Sequence, residues 1–374
     1  MRHSKFSIEP NEYFTTNLRS NLLDILFDGS GEDIDYGYIF LSYPNWRRDQ
    51  IDLFQYIHPD FLHTLRTESS ILIVDYTYEG FSSIQCPIIE ILEKNCLKHN
   101  IDPKKIFYFS GNLRDSSQTI NVIPMFLLDY NSNWKIIQNL NQVKTDFLQK
   151  NKNDIILSLS RRNRSHRVLA HAMLTHSELN DYSIISQDTC KNLKIDDNTL
   201  SKAGLTSKQW KQFQKQLPRI ANKNDFHINA VFDHFPTLHN HTCFSIVNET
   251  EINDFNNTSM FFSEKILKPI INFQPFVIYG QRGINHALCE LGYKPYGDYF
   301  DLSFDREENN ILRYKKLLEN ITTLTKRLAS SSIEEQLDWR FKHIELLEYN
   351  YNIFLQQHQS VAACRCFLDR VSQL

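Results

Sequence analysis

Glycine is scarce in this chain, with ten in 374 residues. Neither a Gly-x-Gly-x-x-Gly fingerprint nor a Walker-type loop occurs, so the two commonest glycine-built phosphate cradles are excluded. A broad excess of basic residues is also missing. The net charge of −3 and an isoelectric point near 6.5 argue against a general nucleic-acid binder, which needs an extended positive surface. There is no apolar run of the roughly 18 residues that a spanning helix requires, and no N-terminal apolar core of the signal-peptide kind. The seven cysteines (86, 96, 190, 243, 289, 364 and 366) are odd in number and form no disulfide-like framework. They read as reduced thiols. The expectation is a cytoplasmic protein, with peripheral attachment to the inner membrane left open.

Metal-ligand spacing is nearly absent too. His239-x-His241-x-Cys243 would share one face of a strand, but no second Cys/His pair or carboxylate motif completes a site. No metal is expected. Cys364-x-Cys366 lacks a partner pair as well, and helix packing explains it.

What is present is a regular alternation of short apolar runs with amphipathic stretches. Strands are expected at residues 38–42, 70–75, 105–110 and 119–128, with helical spacing over 49–65, interrupted by Pro59, and over 87–98. After the polar run 149–153 the pattern restarts. A strand is expected at 154–159, a helix at 165–174, a strand at 182–186 and a helix around 208–217 within a polar excursion. Long helices are expected at 306–328 and 333–354, with a last one at about 359–371 that crosses back onto the first domain. Alternation of this kind predicts parallel sheets joined by right-handed crossovers. The fold class is therefore α/β, with Rossmann-like domains at 1–150 and 151–374.

Residues 244–305 organise the second half. Phe244-Ser-Ile-Val-Asn248-Glu249 is a short strand ending on polar groups. Ser263-Glu264-Lys265 opens a helix, with Ser263 as its N-cap and Glu264 in its first turn. Gln274-Pro-Phe-Val-Ile-Tyr279-Gly280 is a second buried strand. Polar groups at strand ends beside a helix start are where open α/β sheets bind phosphorylated ligands.

This order of features resembles the donor-binding half of GT-B glycosyltransferases, above all the α1,3-fucosyltransferase-like and exostosin-like groups and their bacterial and viral relatives. The resemblance covers roughly the C-terminal half. It implies two Rossmann-like domains facing a cleft, and a nucleotide sugar as co-substrate with no other cofactor. It further implies that Glu264 meets ribose or sugar hydroxyls and that Lys265 meets phosphate. Asp301-Leu-Ser-Phe-Asp305 with Arg313 is similar to a tail of those relatives. No Asp-x-Asp motif of the metal-dependent GT-A kind is present, in keeping with metal-independent transfer.

The remaining candidates come from position and chemistry. Ser160-Arg161-Arg162-Asn163-Arg164-Ser165-His166-Arg167 joins a strand to a helix and suits a diphosphate; the resemblance implies that one Arg of this junction meets the donor, with Arg161 and Arg164 preferred. A solvated basic turn is the plain alternative. Asn248 or Glu249 could accept sugar hydroxyls, or Glu249 could cap a loop. Gly280 lets backbone approach a ligand, or simply makes a turn. Glu79, with Asp75 second, is the candidate general base, set among Tyr76, Tyr78 and Phe81, where a sugar acceptor could stack. A solvent-facing Glu and core aromatics fit those positions equally. The expected function is transfer of a sugar from a nucleotide-sugar donor to a glycan or lipid-linked hydroxyl acceptor, in polysaccharide biosynthesis. Alternatives are transfer of a sugar phosphate and a non-catalytic nucleotide- or glycan-binding protein. Nucleic acid is not an expected partner.

Overall fold

A computed structural model describes residues 4–7, 22, 26, 36–41, 52–77, 86–129, 140–149, 154–160, 162–190, 192–221, 236–254 and 256–374. The chain is α/β and forms two compact units. The first comprises Met1–Tyr130, Asp254–Phe261 and Gln357–Leu374; the second comprises Asn131–Asn253 and Phe262–Gln356.

The sheet of the first unit is wholly parallel and follows chain order: β1 (Ser4–Ser7), β2 (Tyr36–Phe40), β3 (Ile71–Tyr76), β4 (Ile106–Ser110) and β5 (Asn121–Pro124). Every residue of β3 and β4 is buried, as their unbroken apolar runs require of strands covered on both faces. The connections from β2 to β3 and from β3 to β4 place their helices on one face, as right-handed crossovers between neighbouring parallel strands do. That face carries α1 (Pro59–Thr67) and α2 (Ile88–His99), whose Phe61, Leu65, Ile91 and Leu92 join Leu72, Val74 and Tyr108 in one core. The opposite face, with Ile71, Ile73, Phe107 and Phe109, must be covered from elsewhere in the chain. Leu22, Leu26 and the C-terminal helix α13 (His358–Val371) do so. Phe367 stands edge-on to Phe107, with centroids 5.1 Å apart. Its burial contributes about 2–3 kcal/mol, and the ring pair adds about 1 kcal/mol.

Two expectations are revised here. Helical spacing over 49–65 becomes a 3-10 turn at Leu53–Tyr56 followed by α1, because Pro59 has no N–H to give and fits only a first turn. The strand expected over 119–128 shrinks to β5, and a 3-10 turn follows at Leu127–Asp129. Pro124 cannot donate to a continuing ladder.

The second unit has four parallel strands in the order β7–β6–β8–β9: β6 (Asp154–Ser160), β7 (Ser183–Gln187), β8 (Thr242–Asn248) and β9 (Phe276–Tyr279). The chain steps from β6 outward to β7, then returns to the other side of β6 for β8. The strand order therefore reverses between β6 and β8, which is a topological switch point. The excursion between β7 and β8 carries α5 (Asp197–Lys202), α6 (Ser207–Lys215) and α7 (Pro236–His241). Thr206 and Gln209 close a capping box on α6. His239 and His241 lie on α7, started by Pro236, and Cys243 lies on β8; the strand that would have aligned all three does not form.

The C-terminal layer holds α10 (Asn310–Ser330), α11 (Ile333–Phe341) and α12 (Ile344–Leu355). The single helix expected over 333–354 is broken between α11 and α12. In a continuous helix the Arg340 carbonyl would accept from residue 344. Here it accepts from the Tyr299 hydroxyl at 3.3 Å. Among the described residues, no helix is long and apolar enough to cross a membrane.

Candidate functional site

The carboxyl ends of β6 and β8 lie side by side at the switch point of the second unit. Ser158 and Asn248 face the same side of the sheet, since Asn248 Nδ2 donates to Ser158 Oγ at 2.9 Å. Both reach His171 Nε2, each at 3.0 Å. His171 belongs to α4 (Ser165–Thr175), so this is the face that α4 covers. Ser160, two residues beyond Ser158, must project to that face as well. Its hydroxyl is buried and has no partner among the described residues, and the same holds for Asn248 Oδ1. A buried polar atom left unpaired costs free energy, so two of them at adjacent strand ends mark a place where something else can bind.

Behind them runs a polar chain, buried at His171 and Gln187 and reaching the surface at Asn163. His171 Nδ1 pairs with Gln187 Oε1 at 3.0 Å, and Gln187 Nε2 donates to Asn163 Oδ1 at 2.9 Å. Burial pushes His171 down to about 3, which keeps the ring neutral. With Gln187 Oε1 as acceptor, Nδ1 carries the proton and Nε2 accepts from Asn248 and Ser158.

α4 begins directly after the basic turn, with Arg164 in extended conformation at its N-cap and no side-chain cap. The Arg167 amide of the first turn donates to the Arg164 carbonyl at 3.0 Å, and those of Ser165 and His166 are the ones that helix geometry leaves without intrahelical acceptors. Arg164 and Arg167 are three residues apart and lie on one side of the helix. Arg164 Nη1 donates to the Thr250 carbonyl at 3.0 Å. Arg167, only 2% exposed, donates from Nε to the Glu249 carbonyl and from Nη2 to Thr250 Oγ1, both at 2.8 Å. Burial lowers the Arg167 guanidinium to about 10, against the pull of the Glu249 carboxylate, and it stays charged at neutral pH. His166 Nε2 donates to the same Glu249 carbonyl at 3.0 Å. Burial, reinforced by the charge of Arg167, pushes His166 down to about 3.

Lys265 arrives from the other side of Thr250. Its Nζ donates to Thr250 Oγ1 at 3.1 Å, to Ser263 Oγ at 2.9 Å and to Glu264 Oε1 at 3.2 Å. Ser263 is the N-cap of a 3-10 turn, Glu264–Ile266, that continues into the short α8 (Leu267–Ile271). Burial lowers the Lys265 ammonium, and the Glu264 carboxylate opposes that shift. Burial pushes Glu264 upward, but the ammonium groups of Lys265 and Lys268 outweigh it, and the carboxylate stands below its ordinary value. Three cations, Arg164, Arg167 and Lys265, therefore converge on the single residue Thr250, with Glu249 and Glu264 as the acidic neighbours.

Glu249 itself is fully buried. Its carboxylate accepts from the Thr250 N–H at 2.7 Å, the Ser263 N–H at 3.0 Å and the Ser263 hydroxyl at 2.6 Å. Gly280 stands against it: a Cβ there would meet Glu249 Cβ at 3.0 Å and Ile284 Cδ1 at 2.9 Å. The close approach that requires this glycine is thus to Glu249. The Gly280 carbonyl accepts from Arg313 Nη2 at 2.7 Å, and Arg313 also bonds the carbonyls of Ile252 and Glu307. Asp305, fully buried, takes the Asn285 N–H and Nδ2, both at 2.9 Å. Arg313 thus ties together the backbone at Ile252, Gly280 and Glu307.

Arg161 and Glu79 lie outside the described residues, as do Tyr78 and Phe81. Asp75, the last but one residue of β3 in the first unit, is fully buried and accepts from the Tyr38 hydroxyl at 2.6 Å, the Thr77 N–H at 3.0 Å and the Thr77 hydroxyl at 2.7 Å. Burial nevertheless leaves its carboxyl above the ordinary range.

The structure brings Arg164, Asn248, Glu249, Glu264, Lys265 and Gly280 into one region of the second unit. Thr250 and His171 are not singled out by the sequence, and Ser160 stands there only as the first residue of the basic turn. Arg167 was within reach of the sequence reading, because the three-residue spacing from Arg164 announces a shared helix face. Comparison of the chain with models of protein families, with curated proteins and with solved structures gives no match.

Proposed function

We propose that the chain is a glycosyltransferase of GT-B type that binds a nucleotide-sugar donor at the ends of β6 and β8. The observation that carries this reading is the convergence of Arg164, Arg167 and Lys265 on Thr250, at a switch point and beside the first turn of α4. Such an arrangement suits a diphosphate. In transfer without a metal, fixed positive side chains and helix amides would stabilise the charge that builds on the departing nucleoside diphosphate. Arg164 and Lys265 would face the phosphates. Arg167, tied to Glu249 and Thr250, would hold the wall behind. Glu264 would reach ribose or sugar hydroxyls, and Glu249 would fix the loop that presents Lys265. The acceptor would be a glycan or a lipid-linked hydroxyl compound, with Glu79 as the base that takes its proton.

A second reading is binding of a nucleotide or glycan without turnover. It is favoured by the three hydrogen bonds that already engage Asp75, since a carboxylate so held is poorly placed to receive a proton from an acceptor.

The test is a thermal-shift screen of the purified protein against GDP, UDP, CDP, ADP and CMP, beside Arg164→Ala and Lys265→Ala. A nucleotide at about a hundred times its dissociation constant stabilises the fold by about 2.7 kcal/mol. One nucleotide whose shift both substitutions abolish supports the donor site and names its base. No shift with any of the five sinks it. Release of nucleoside diphosphate from the matching nucleotide sugar then separates transfer from binding alone.

A further inference from the structure

A pocket of about 700 Å3 opens in the C-terminal helical layer of the second unit, between the end of α10, α11 and the loop at Asp298 and Tyr299. It shares no lining residue with the cluster around Thr250. Tyr299 forms its floor, 6% exposed, with the rings of Trp339 and His343 each edge-on to it at 5.2 Å. Phe341 stands at the rim, 49% exposed. Around these rings the lining carries three carboxylates, Asp298, Glu335 and Asp338, and two cations, Arg327 and Lys342.

The walls are held from behind. Gln336 Nε2 ties α11 to the Leu328 carbonyl of α10 at 2.9 Å. Arg340 is 1% exposed and anchors α11 through the Phe147 carbonyl at 2.7 Å. The Tyr299 hydroxyl donates to the Arg340 carbonyl where the helix ends after Phe341, and His343, at the start of α12, lines the pocket. A pocket braced this way needs little rearrangement to bind, and its size lies in the range of small-molecule sites.

We infer that this pocket binds a neutral oligosaccharide. A pyranose ring has an apolar C–H face and a rim of hydroxyls, each able to donate and accept. Aromatic rings next to carboxylates and a guanidinium match both sides of that chemistry. The other ligand classes fit less well. Three carboxylates oppose a phosphate, Arg327 and Lys342 oppose an organic cation, and five charges at the rim oppose a purely apolar occupant. The site stands independently of the donor reading, because its residues are different and its ligand carries no charge.

The experiment is saturation-transfer NMR and titration of the full-length protein with maltotriose, cellotriose and chitotriose, with choline and inorganic phosphate as probes of the other classes. At least one trisaccharide is expected to bind saturably, and to bind about tenfold more weakly, about 1.4 kcal/mol, to Trp339→Ala and to Asp338→Asn. Arg164→Ala should bind it as the unaltered protein does. Asp338 is exposed, so Asp338→Asn keeps the test valid even if removal of the indole unsettles α11. The inference is overturned if none of the trisaccharides binds, if binding survives both pocket substitutions, or if choline or phosphate binds there instead.

Discussion

Glu249 and Ser263 are joined twice: the carboxylate of Glu249 accepts the backbone N–H of Ser263 at 3.0 Å and its hydroxyl at 2.6 Å. Fourteen residues of chain separate them, and the intervening Asp254–Phe261 belongs to the first unit. The pair closes the base of that excursion, and Lys265 is presented two residues later. Glu249→Ala should therefore cost about 3 kcal/mol of stability, the penalty for stranding several buried donors beside a buried guanidinium. Glu249→Gln should cost less, because the amide oxygen still accepts. Urea unfolding measures both; an unchanged midpoint in Glu249→Ala would show that the carboxylate serves a ligand and not the loop.

Ser160 gives the opposite expectation. Its buried hydroxyl has no partner among the described residues, so Ser160→Ala removes a desolvation cost without breaking a bond. Stability should hold or rise by about 1 kcal/mol, while the nucleotide-induced thermal shift shrinks. A drop in stability with the shift intact would place the hydroxyl in the fold alone.

Acid should weaken the second unit through its buried histidines. His166 and His171 are both held near 3, against about 6.5 in an unfolded chain. The folded state binds fewer protons than the unfolded state between those values. Their contribution is complete above about pH 6.5 and is lost as pH falls through about 3. His171→Gln should flatten that part of the stability–pH curve, which unfolding midpoints at a series of pH values would reveal.

Asp115 in the first unit runs the other way. It accepts from Ser110 Oγ at 2.5 Å and Asn112 Nδ2 at 2.7 Å, yet burial raises it to about 6. Its folded state holds a proton that the unfolded chain has released, so its contribution is full below about pH 4 and is lost as pH rises through about 6. Asp115→Asn should remove that decline, and the difference curve against the unaltered protein should slope only between those two values. A flat difference curve would contradict the raised carboxyl.

Much of the scaffold was legible because its signals are local. Unbroken apolar runs such as Ile71–Tyr76 announce interior parallel strands, Ser263 announces a cap, and Pro59 announces where a helix can begin. The basic turn and the Glu264-Lys265 pair were visible as charge at element ends. The break between α11 and α12 was not, since no glycine or proline stands at residues 342–343; the Arg340 carbonyl is met there by a tyrosine hydroxyl more than forty residues away.

By themselves, then, the residues determined an α/β chain with parallel sheets and a cluster of cations near two strand ends. Only the tertiary structure decided what those groups do to one another. Thr250 looks like any loop threonine until three cations meet on it, and Glu249 looks available until Ser263 and Thr250 take both its oxygens. The reason is physical: strand and helix propensities act over a few neighbouring residues, whereas burial and hydrogen-bond satisfaction depend on which distant segments share a strand end. β6 and β8 lie about ninety residues apart in the chain, and the pairing that unites Ser160, Asn248 and the first turn of α4 exists only once the sheet has formed.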